Sequence, residues 1–399
     1  MATSRKSSKA KPKALNCQSC GLFEGDIESP RMEPYGSGRK GILIIGEAPG
    51  KVEDRKGVPW QGRTGRTLQR ILNKHGIDLF KDCVSVNAVN CRPSNNRTPF
   101  KHEINCCREV KVRKALAEYE PRVIVLLGAM AVQSFLQPRW PTDLGGITKW
   151  RGWTAPDQDY GAWVVPTYHP SFVVRADSRE YNTIWEQDLS KILKLSETEV
   201  PQWIDPNIHY IEDLSVLEKY MSAEKMAFDY ETNHLKSKKR GARIISASCA
   251  FDDRDVYSFM MPKTKAELRP WFNLLTNPNI KKMAHNMKFE HQWTLNRYGF
   301  EVQNWYFDSM LGAHQLDNRS GITGLKFQTY VHFGIIYGDE VLPYLRKMED
   351  NTDGFNGIMD LLKEPEGQHK LLKYGAFDSH YEYRLANKQL LELDYELPF

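Results

Sequence analysis

Short apolar runs alternate with helical stretches twice along this chain, and a segment without periodicity separates the two alternations. In the first half the pattern predicts strands at residues 41–46, 82–88, 122–128 and 162–167. In the second half it predicts strands at residues 225–231, 242–251 and 255–261, and mainly helices from residue 266 onward. Alternation of this kind is typical of layered α/β folds. The sequence therefore predicts two α/β domains in series.

The predicted boundaries follow from where the alternation stops. Residues 196–207 contain two prolines and no periodicity, so we expect a linker there. The first domain would then span residues 15–195 and the second residues 208–399, and a length of 399 residues suits two domains of ordinary size. Residues 1–14 carry five basic side chains and no acidic one, which predicts a disordered basic tail.

The net charge of +5 is unevenly distributed along the chain. Residues 1–200 contain nine more basic than acidic residues, whereas the remainder contains four more acidic than basic ones. A basic surplus is expected of a protein that binds nucleic acid. The acidic second half is compatible with the same partner, because bound divalent cations offset carboxylates.

The longest apolar run, residues 123–132, is shorter than the roughly 20 residues that a membrane helix needs. We therefore expect no membrane association and a cytoplasmic location.

Four of the seven cysteines read as metal ligands, because clustered cysteines in a reducing compartment bind metals more often than they form disulfides. They are Cys17, Cys20, Cys91 and Cys107. Four thiolates suit either a zinc ion or a 4Fe-4S cluster. Cys106 competes with Cys107 for the fourth position, while Cys83 and Cys249 read as buried apolar residues.

A series of motifs in the first domain has a recognisable order. The strand at residues 41–46 leads into Gly46-Glu47-Ala48-Pro49-Gly50; the later motifs are GVPWQG at 57–62, NAVNCRP at 87–93, a stretch at 96–107 that ends in Cys107, and TYHPS at 167–171. This order resembles the family 4 uracil-DNA glycosylases, the iron-sulfur branch of that superfamily. The resemblance implies a three-layer α/β/α fold, a 4Fe-4S cluster with Cys107 rather than Cys106 as a ligand, and hydrolysis of the N-glycosidic bond of uracil in DNA.

Uracil excision needs a tight pocket for a base that has left the helical stack. By resemblance, the residues that bind this base are Gly46, Ala48, Pro49, Gly50, Trp60 and Asn87. Trp60 would stack on the base, and the Asn87 amide can donate and accept along the uracil edge. His169 would donate to the uracil oxygen as negative charge develops there, and Glu47 would activate the attacking water.

One position departs from the glycosylase pattern. The family commonly has Phe where this chain has Trp60, and the larger ring could narrow the pocket or alter base preference. The alternative is that the domain is a non-catalytic DNA clamp or a docking module for a polymerase.

The second domain carries a separate set of acidic residues. Asp229 and Glu231 end an apolar strand and share one face, where two carboxylates are tolerable chiefly if they are exposed or hold a cation. Tyr374 and Asp378 have the i, i+4 spacing that places them on one face of a helix. The residues between include Glu290, in the segment HNMKFE, and Asp308.

This set resembles the DEDDy 3'-5' exonuclease domain of polymerase I-like (family A) DNA polymerases, which has a ribonuclease H-like fold. The resemblance implies two Mg²⁺ (or Mn²⁺) ions and phosphodiester hydrolysis at single-stranded 3' ends. Asp229, Glu231 and Asp378 would bind the metals, and Tyr374 would orient the attacking water. The fourth ligand is assigned to Glu290, although the family has Asp there. Asp308 is the alternative.

The combination of a glycosylase-like domain with such an exonuclease resembles bacteriophage polymerases. The chain ends about where the polymerising domain of a family A enzyme would begin. We therefore expect the polymerase on a separate polypeptide or removed from this one. The overall expectation is a bifunctional DNA-processing enzyme of phage replication.

Overall fold

The computed structural model describes residues 16–346 and 354–393. The chain divides into two compact units. The first unit comprises Met1–Pro138, Trp150–Trp153 and Ala162–Glu199; the second comprises Arg139–Lys149, Thr154–Gly161 and Val200–Phe399. The predicted basic tail lies outside the described residues. The predicted domain and linker boundaries stay predictions.

The strands are, in chain order, β1 (Ile42–Gly46), β2 (Cys83–Asn87), β3 (Val123–Leu127), β4 (Ala155–Asp157), β5 (Ala162–Thr167), β6 (Asn207–Tyr210), β7 (Lys225–Thr232), β8 (Ile244–Ala250), β9 (Asp255–Met260), β10 (Lys281–Ala284) and β11 (Trp305–Asp308). The strands predicted from the sequence correspond to β1, β2, β3, β5, β7, β8 and β9. The region after residue 266 is mainly helical, as predicted, and the strands β10 and β11 within it were not predicted. Both have only four residues and contain charged side chains, KKMA in β10 and WYFD in β11, so neither is long enough to show a strand pattern.

The sheet of the first unit is parallel where β1 pairs with β2 and β3, and where β3 pairs with β5. β1, β2 and β3 are buried along their whole length, as expected of a parallel sheet covered on both faces. In the register, Gly46 at the end of β1 lies opposite Asn87 at the end of β2. The carboxyl ends of the strands therefore meet at one edge, which is where ligands bind in such sheets.

Before residue 200, helices precede, connect and follow the strands of this sheet along the chain. They are Cys17–Cys20, Lys51–Lys56, Arg63–Lys74, Lys101–Cys107, Arg113–Tyr119, Ala129–Leu136, Ile147–Trp150, Pro170–Ala176, Arg179–Ser190 and Ile192–Ser196. A π-helical turn, Arg108–Val112, directly follows Cys107. π-turns inside helices are rare and often accompany functional sites.

The sheet of the second unit has the order β11-β10-β7-β8-β9-β6. β8 runs antiparallel to both β7 and β9, whereas the other pairs are parallel. The α-helices after residue 200 are Arg269–Thr276, Met287–Tyr298, Ser309–Leu316, Leu325–Phe333, Leu342–Arg346, Ile358–Leu361 and Gly367–Glu392. The two units thus have the fold class that the sequence predicts, a uracil-DNA glycosylase-like α/β domain and a ribonuclease H-like exonuclease domain. Among the described residues, no helix is both long and apolar enough to cross a membrane.

The long helix Gly367–Glu392 lies against the sheet at β8. The Ser248 hydroxyl donates to the Gly375 carbonyl at 2.6 Å and lies 2.7 Å from the Ser379 hydroxyl. Because Ser248 is paired with Asp229 in the sheet, these contacts bring the helix over the acidic end of β7.

Candidate active sites

A cavity of about 400 Å³ opens at the carboxyl ends of β1 and β2. The predicted residues that line it are Glu47, Ala48, Pro49, Gly50, Trp60, Asn87 and His169. Gly46 lies directly behind, since a Cβ there would come within 2.3 Å of Asn87 Oδ1 and 3.0 Å of a Trp60 ring carbon. The structure therefore brings together the seven residues predicted to line the first site, with Gly46 as the spacer between two of them.

Trp60 forms one wall of the cavity in a left-handed backbone conformation, with φ of 60°. Gln69 Nε2 donates to its carbonyl at 3.1 Å, and Glu53 accepts the Gly62 N–H at 2.8 Å, which fixes the loop on both sides of the ring. A Cβ at Gly65 would lie 2.0 Å from the Trp60 carbonyl oxygen, so only glycine fits beneath it. Sequence reasoning missed Glu53, whose role depends on a contact nine residues away.

His169 lies at the start of the helix Pro170–Ala176, with its ring 5.9 Å from that of Trp60. Its Nδ1 accepts the Ser171 N–H at 3.2 Å, so the proton of the neutral ring is on Nε2. Burial, assisted by the charge of Arg175, lowers the pKa of His169 to about 4. The ring is thus a neutral hydrogen-bond donor at physiological pH. Gly128 leaves room for it, because a Cβ there would lie 3.0 Å from His169 Cβ.

Glu47 follows β1 directly and lines the same cavity. Burial raises the pKa of its carboxyl above the usual value, and the charge of Arg175 partly opposes this shift. A carboxylate that is partly desolvated accepts protons more readily than an exposed one, which suits a general base.

A second cavity in the first unit is lined by the four predicted cysteines, Cys17, Cys20, Cys91 and Cys107. Cys106 is buried but is not among the lining residues. The Arg31 N–H donates to Cys91 Sγ at 3.1 Å, and two donors of Asn90 reach Cys107 Sγ at 3.2 and 3.3 Å. Two of the four sulfurs, those of Cys91 and Cys107, therefore receive hydrogen bonds that favour the thiolate form and partly oppose the burial that raises the pKa of both thiols.

Asn90 links the cysteine cavity to the first cavity. Its Oδ1 accepts the Asn87 N–H at 3.0 Å, and its Nδ2 donates to the Asn87 carbonyl at 2.8 Å. The same Nδ2 and the Asn90 N–H are the donors to Cys107. The buried side chain of Asn90 thus fixes the backbone of Asn87 relative to the thiol of Cys107, which lies 17 residues after Asn90 in the chain. Nothing in the sequence distinguished Asn90 from its neighbours.

In the second unit, Asp229, Glu231 and Asp378 each place a carboxylate oxygen within 4.8 Å of the others. Burial, followed by the charge of Asp378, raises the pKa of Asp229 to about 7. Burial and the charge of Asp229 raise the pKa of Glu231 well above its usual range. This group could hold a metal ion, because a divalent cation would relieve the repulsion that otherwise favours protonation.

Asp378 has two further partners on the helical side of the site. Lys326 forms an ion pair with it, and Tyr337 Oη donates to it at 2.5 Å. The Lys326 ammonium also lies 4.2 Å from the ring centroids of both Tyr337 and Tyr374. Burial and the charge of Asp378 raise the pKa of the Tyr374 phenol well above its usual range, so it remains a donor.

Glu290 and Asp308, the two candidates for the fourth ligand, have different surroundings. Glu290 is buried and its Oε2 has no hydrogen-bond partner among the described residues. Burial and the charge of Asp229 raise its pKa well above the usual range. Asp308 accepts four backbone N–H groups, from Asn286, Met287, Met310 and Leu311, at 2.9 to 3.3 Å. Asp308 is therefore engaged as a helix cap, whereas Glu290 Oε2 has no partner among the described residues. Neither residue belongs to the group of three carboxylates that lie within 4.8 Å of one another.

Comparison with known proteins matches each unit to a family. Residues 33–190 match the model of the uracil DNA glycosylase superfamily, and residues 208–335 match a model described as 3'-5' exonuclease. The type-4 uracil-DNA glycosylase of Thermotoga maritima is 39% identical over 153 residues, which are 38% of this chain and 74% of that protein. The corresponding protein of Sulfurisphaera tokodaii is 31% identical over 202 residues, which are 49% of this chain and 88% of that protein.

Among solved structures, Escherichia coli RNase D, an exoribonuclease, is 15% identical with a TM-score of 0.34. The similarity covers 48% of this chain and 46% of RNase D.

The cysteine cavity yields a direct test of the ligand assignment. Cys107→Ser should lose the bound metal, whereas Cys106→Ser should keep it, because only Cys107 faces the cavity. Iron and acid-labile sulfide per protein chain measure the difference. Zinc without sulfide in the wild type would exclude a 4Fe-4S cluster, and metal loss in Cys106→Ser alone would reverse the assignment.

The fourth carboxylate is tested by a matched pair of variants. Glu290→Ala should reduce degradation of single-stranded DNA by at least about 100-fold, as expected when a metal is misplaced. Asp308→Asn, which keeps an acceptor oxygen for the helix cap, should retain most of the activity. Gel assays of 5'-labelled oligonucleotides measure both, with thermal melting as the control for folding. An inactive, folded Asp308→Asn beside an active Glu290→Ala would make Asp308 the ligand.

Proposed function

Since the N-terminal half of the chain belongs to the type-4 uracil-DNA glycosylase family and a 3'-5' exonuclease domain follows it, we propose that the protein processes DNA at two sites. At the first it hydrolyses the N-glycosidic bond of uracil. At the second it removes nucleotides from single-stranded 3' ends.

The neutral, buried His169 is the observation that carries the glycosylase proposal. As the glycosidic bond breaks, negative charge develops on uracil, and a fixed donor aimed at that charge is typically worth roughly 3 to 4 kcal/mol. His169 meets this need without taking up a proton, because its Nε2–H is set by the hydrogen bond at Nδ1. Because the pKa of His169 is low, its ring stays uncharged, and the cavity does not acquire a second positive charge beside that of Arg175.

Asn87 and Trp60 hold the base in this scheme. The backbone of Asn87 is fixed by Asn90, so its side-chain amide can meet the uracil edge without a large loss of conformational freedom. Trp60 supplies a flat apolar wall. Glu47, on the same side as Arg175, takes the proton from the water that attacks the sugar.

We assign a 4Fe-4S cluster to the cysteine cavity. Its lining brings four thiols together with apolar side chains, and cysteine thiolates are the usual ligands of such clusters. Cys17, Cys20, Cys91 and Cys107 would hold the cluster, which when bound would cross-link three distant segments of the first unit.

The exonuclease proposal rests on the three crowded carboxylates of Asp229, Glu231 and Asp378. Two Mg²⁺ or Mn²⁺ ions bound there would stabilise the attacking and leaving oxygens of phosphodiester hydrolysis. Tyr374 keeps its proton and can donate to, and so orient, the attacking water. Lys326 offsets the negative charge of Asp378. Its ammonium group lies near the rings of Tyr337 and Tyr374, and these contacts help to hold the lysine side chain in position.

We further propose that the exonuclease serves a family A DNA polymerase, because the second unit resembles the proofreading domain of those enzymes. The phage origin and the cytoplasmic location stay predictions. The alternative for the first unit, a clamp that binds DNA without excision, would be adopted if purified protein left all uracil-containing substrates intact.

The glycosylase site is tested by Asn87→Ala and His169→Ala. Each should reduce uracil excision by at least about 100-fold, because each removes an oriented hydrogen bond to the base. Cleavage of the DNA at abasic sites, with single- and double-stranded substrates, measures excision. Cys83→Ala, which alters a buried cysteine of β2 outside the cavity, serves as the control and should excise normally.

The pH profile of excision gives a separate test. Because the pKa of His169 is about 4, the rate should show no transition near pH 6.5, the usual imidazole value. Glu47 must be ionised to act as a base, so the rate should fall as pH drops through its pKa, which burial raises from the ordinary value. In Glu47→Gln this acid limb should disappear together with most of the rate. An intact acid limb in that variant would contradict the role of Glu47.

The exonuclease is tested by removal of the metals and of their ligands. Asp229→Ala, Glu231→Ala and Asp378→Ala should each nearly abolish 3'-5' degradation, and chelation should do the same in the wild type. Tyr374→Phe should be milder, since the ligands remain. Uracil excision by these variants is the internal control and should not change. Exonuclease activity that survives chelation would contradict the proposal.

A further inference from the structure

Phe100 is a large apolar side chain left 53% exposed beside the base cavity of the first unit. It follows Arg97 and Thr98, both of which line that cavity, after one intervening proline. The other exposed aromatic residues before residue 138, Tyr35 and Tyr119, are not among the lining residues and do not adjoin them in sequence. Because about half of the Phe100 side chain is exposed, packing in the core does not explain why an aromatic residue occupies this position beside the cavity.

Contacts with Arg97 and Glu103 hold the Phe100 ring and its backbone in place. The Arg97 guanidinium lies 3.9 Å from the ring centroid, and Glu103 fixes that guanidinium through two hydrogen bonds of 2.9 and 2.7 Å. Glu103 also accepts the Phe100 N–H at 2.7 Å, so the backbone is fixed by the same carboxylate. A ring that is already ordered loses little entropy when a ligand stacks on it.

A second aromatic ring and basic side chains lie beside the Phe100 ring. The ring of His102 lies 5.9 Å from that of Phe100, with an angle of 18° between their planes. Lys101 and His102 are exposed, and Arg97 is partly exposed. Aromatic rings combined with basic side chains are how proteins bind single-stranded nucleic acid, since bases stack on the rings and phosphates meet the charges.

We propose that Phe100, supported by Arg97 and His102, is a stacking surface for a nucleotide that flanks the flipped uracil in single-stranded DNA. The proposal rests on the function proposed above for the first unit. The base that stacks on Phe100 would be the nearest neighbour on one side of the uracil, because the ring adjoins the residues at the rim of the cavity. Stacking tolerates any base, so the surface would add affinity without adding sequence preference.

The experiment compares Phe100→Leu, Phe100→Ala and Phe100→Trp in the full chain. Single-stranded oligonucleotides carry one uracil and a fluorescent 2-aminopurine at the neighbouring position, on the 5' side or the 3' side. Wild type and Phe100→Trp should quench the 2-aminopurine on one side, whereas Phe100→Leu and Phe100→Ala should not. For excision, Phe100→Leu and Phe100→Ala should raise KM by about tenfold, the size expected for one lost base stack, with kcat changed less than twofold.

A substrate that lacks the flanking bases separates stacking from a structural effect. On such a substrate the wild type should bind as weakly as Phe100→Leu, and the variant should lose nothing further. Tyr119→Ala, an exposed aromatic residue away from the cavity, is the control and should behave as wild type. Equal KM values for wild type and Phe100→Leu, with normal excision, would overturn this inference while leaving the glycosylase intact. Absence of excision in the wild type, with 2-aminopurine still quenched, would instead overturn the glycosylase and keep the stacking surface.

Discussion

Mutual repulsion among buried carboxylates is the constraint on which the second unit depends. Asp229, Glu231 and Asp378 come from β7 and from the long C-terminal helix, and they would separate if those elements were not held together. The hydroxyl of Ser248 supplies that attachment through the helix backbone at Gly375. The fold thus maintains an electrostatically unfavourable arrangement by means of neutral hydrogen bonds and apolar packing. Such stored repulsion is what gives a site its affinity for cations.

The first unit solves a different problem, since its reaction needs a donor and a rigid wall rather than a concentration of charge. The His169 ring is kept neutral by burial and oriented by the first turn of its helix. The Asn87 backbone is tied through Asn90 to Cys107, so the region that would hold a cluster and the region that would hold a base form one connected structure. A cluster bound there can matter for base recognition without taking part in the chemistry.

The sequence predicted the fold class, the main strands, the residues that line the two cavities of the first unit and the three carboxylates that meet in the second, because most of these residues lie at strand ends and at helical spacings. The role of Glu290 stays a prediction. The sequence did not predict Glu53, Asn90 or Lys326 as supports, because each acts through contacts that ordinary residues make across the chain. The strands β10 and β11 were missed because they are short and partly charged. Sequence reasoning left Asp308 open as a ligand, and only its four backbone partners distinguish a helix cap from a free carboxylate.

The left-handed backbone at Trp60 has a consequence for how this protein can evolve. A bulky residue in that conformation costs roughly 1 to 3 kcal/mol, which glycine would avoid. Glycine would also remove the wall against which a base is held. Because Trp60 is only 6% exposed, loss of the ring would cost about 3 to 5 kcal/mol, which is more than the strain, so packing and the wall of the cavity both favour an aromatic residue at this strained position.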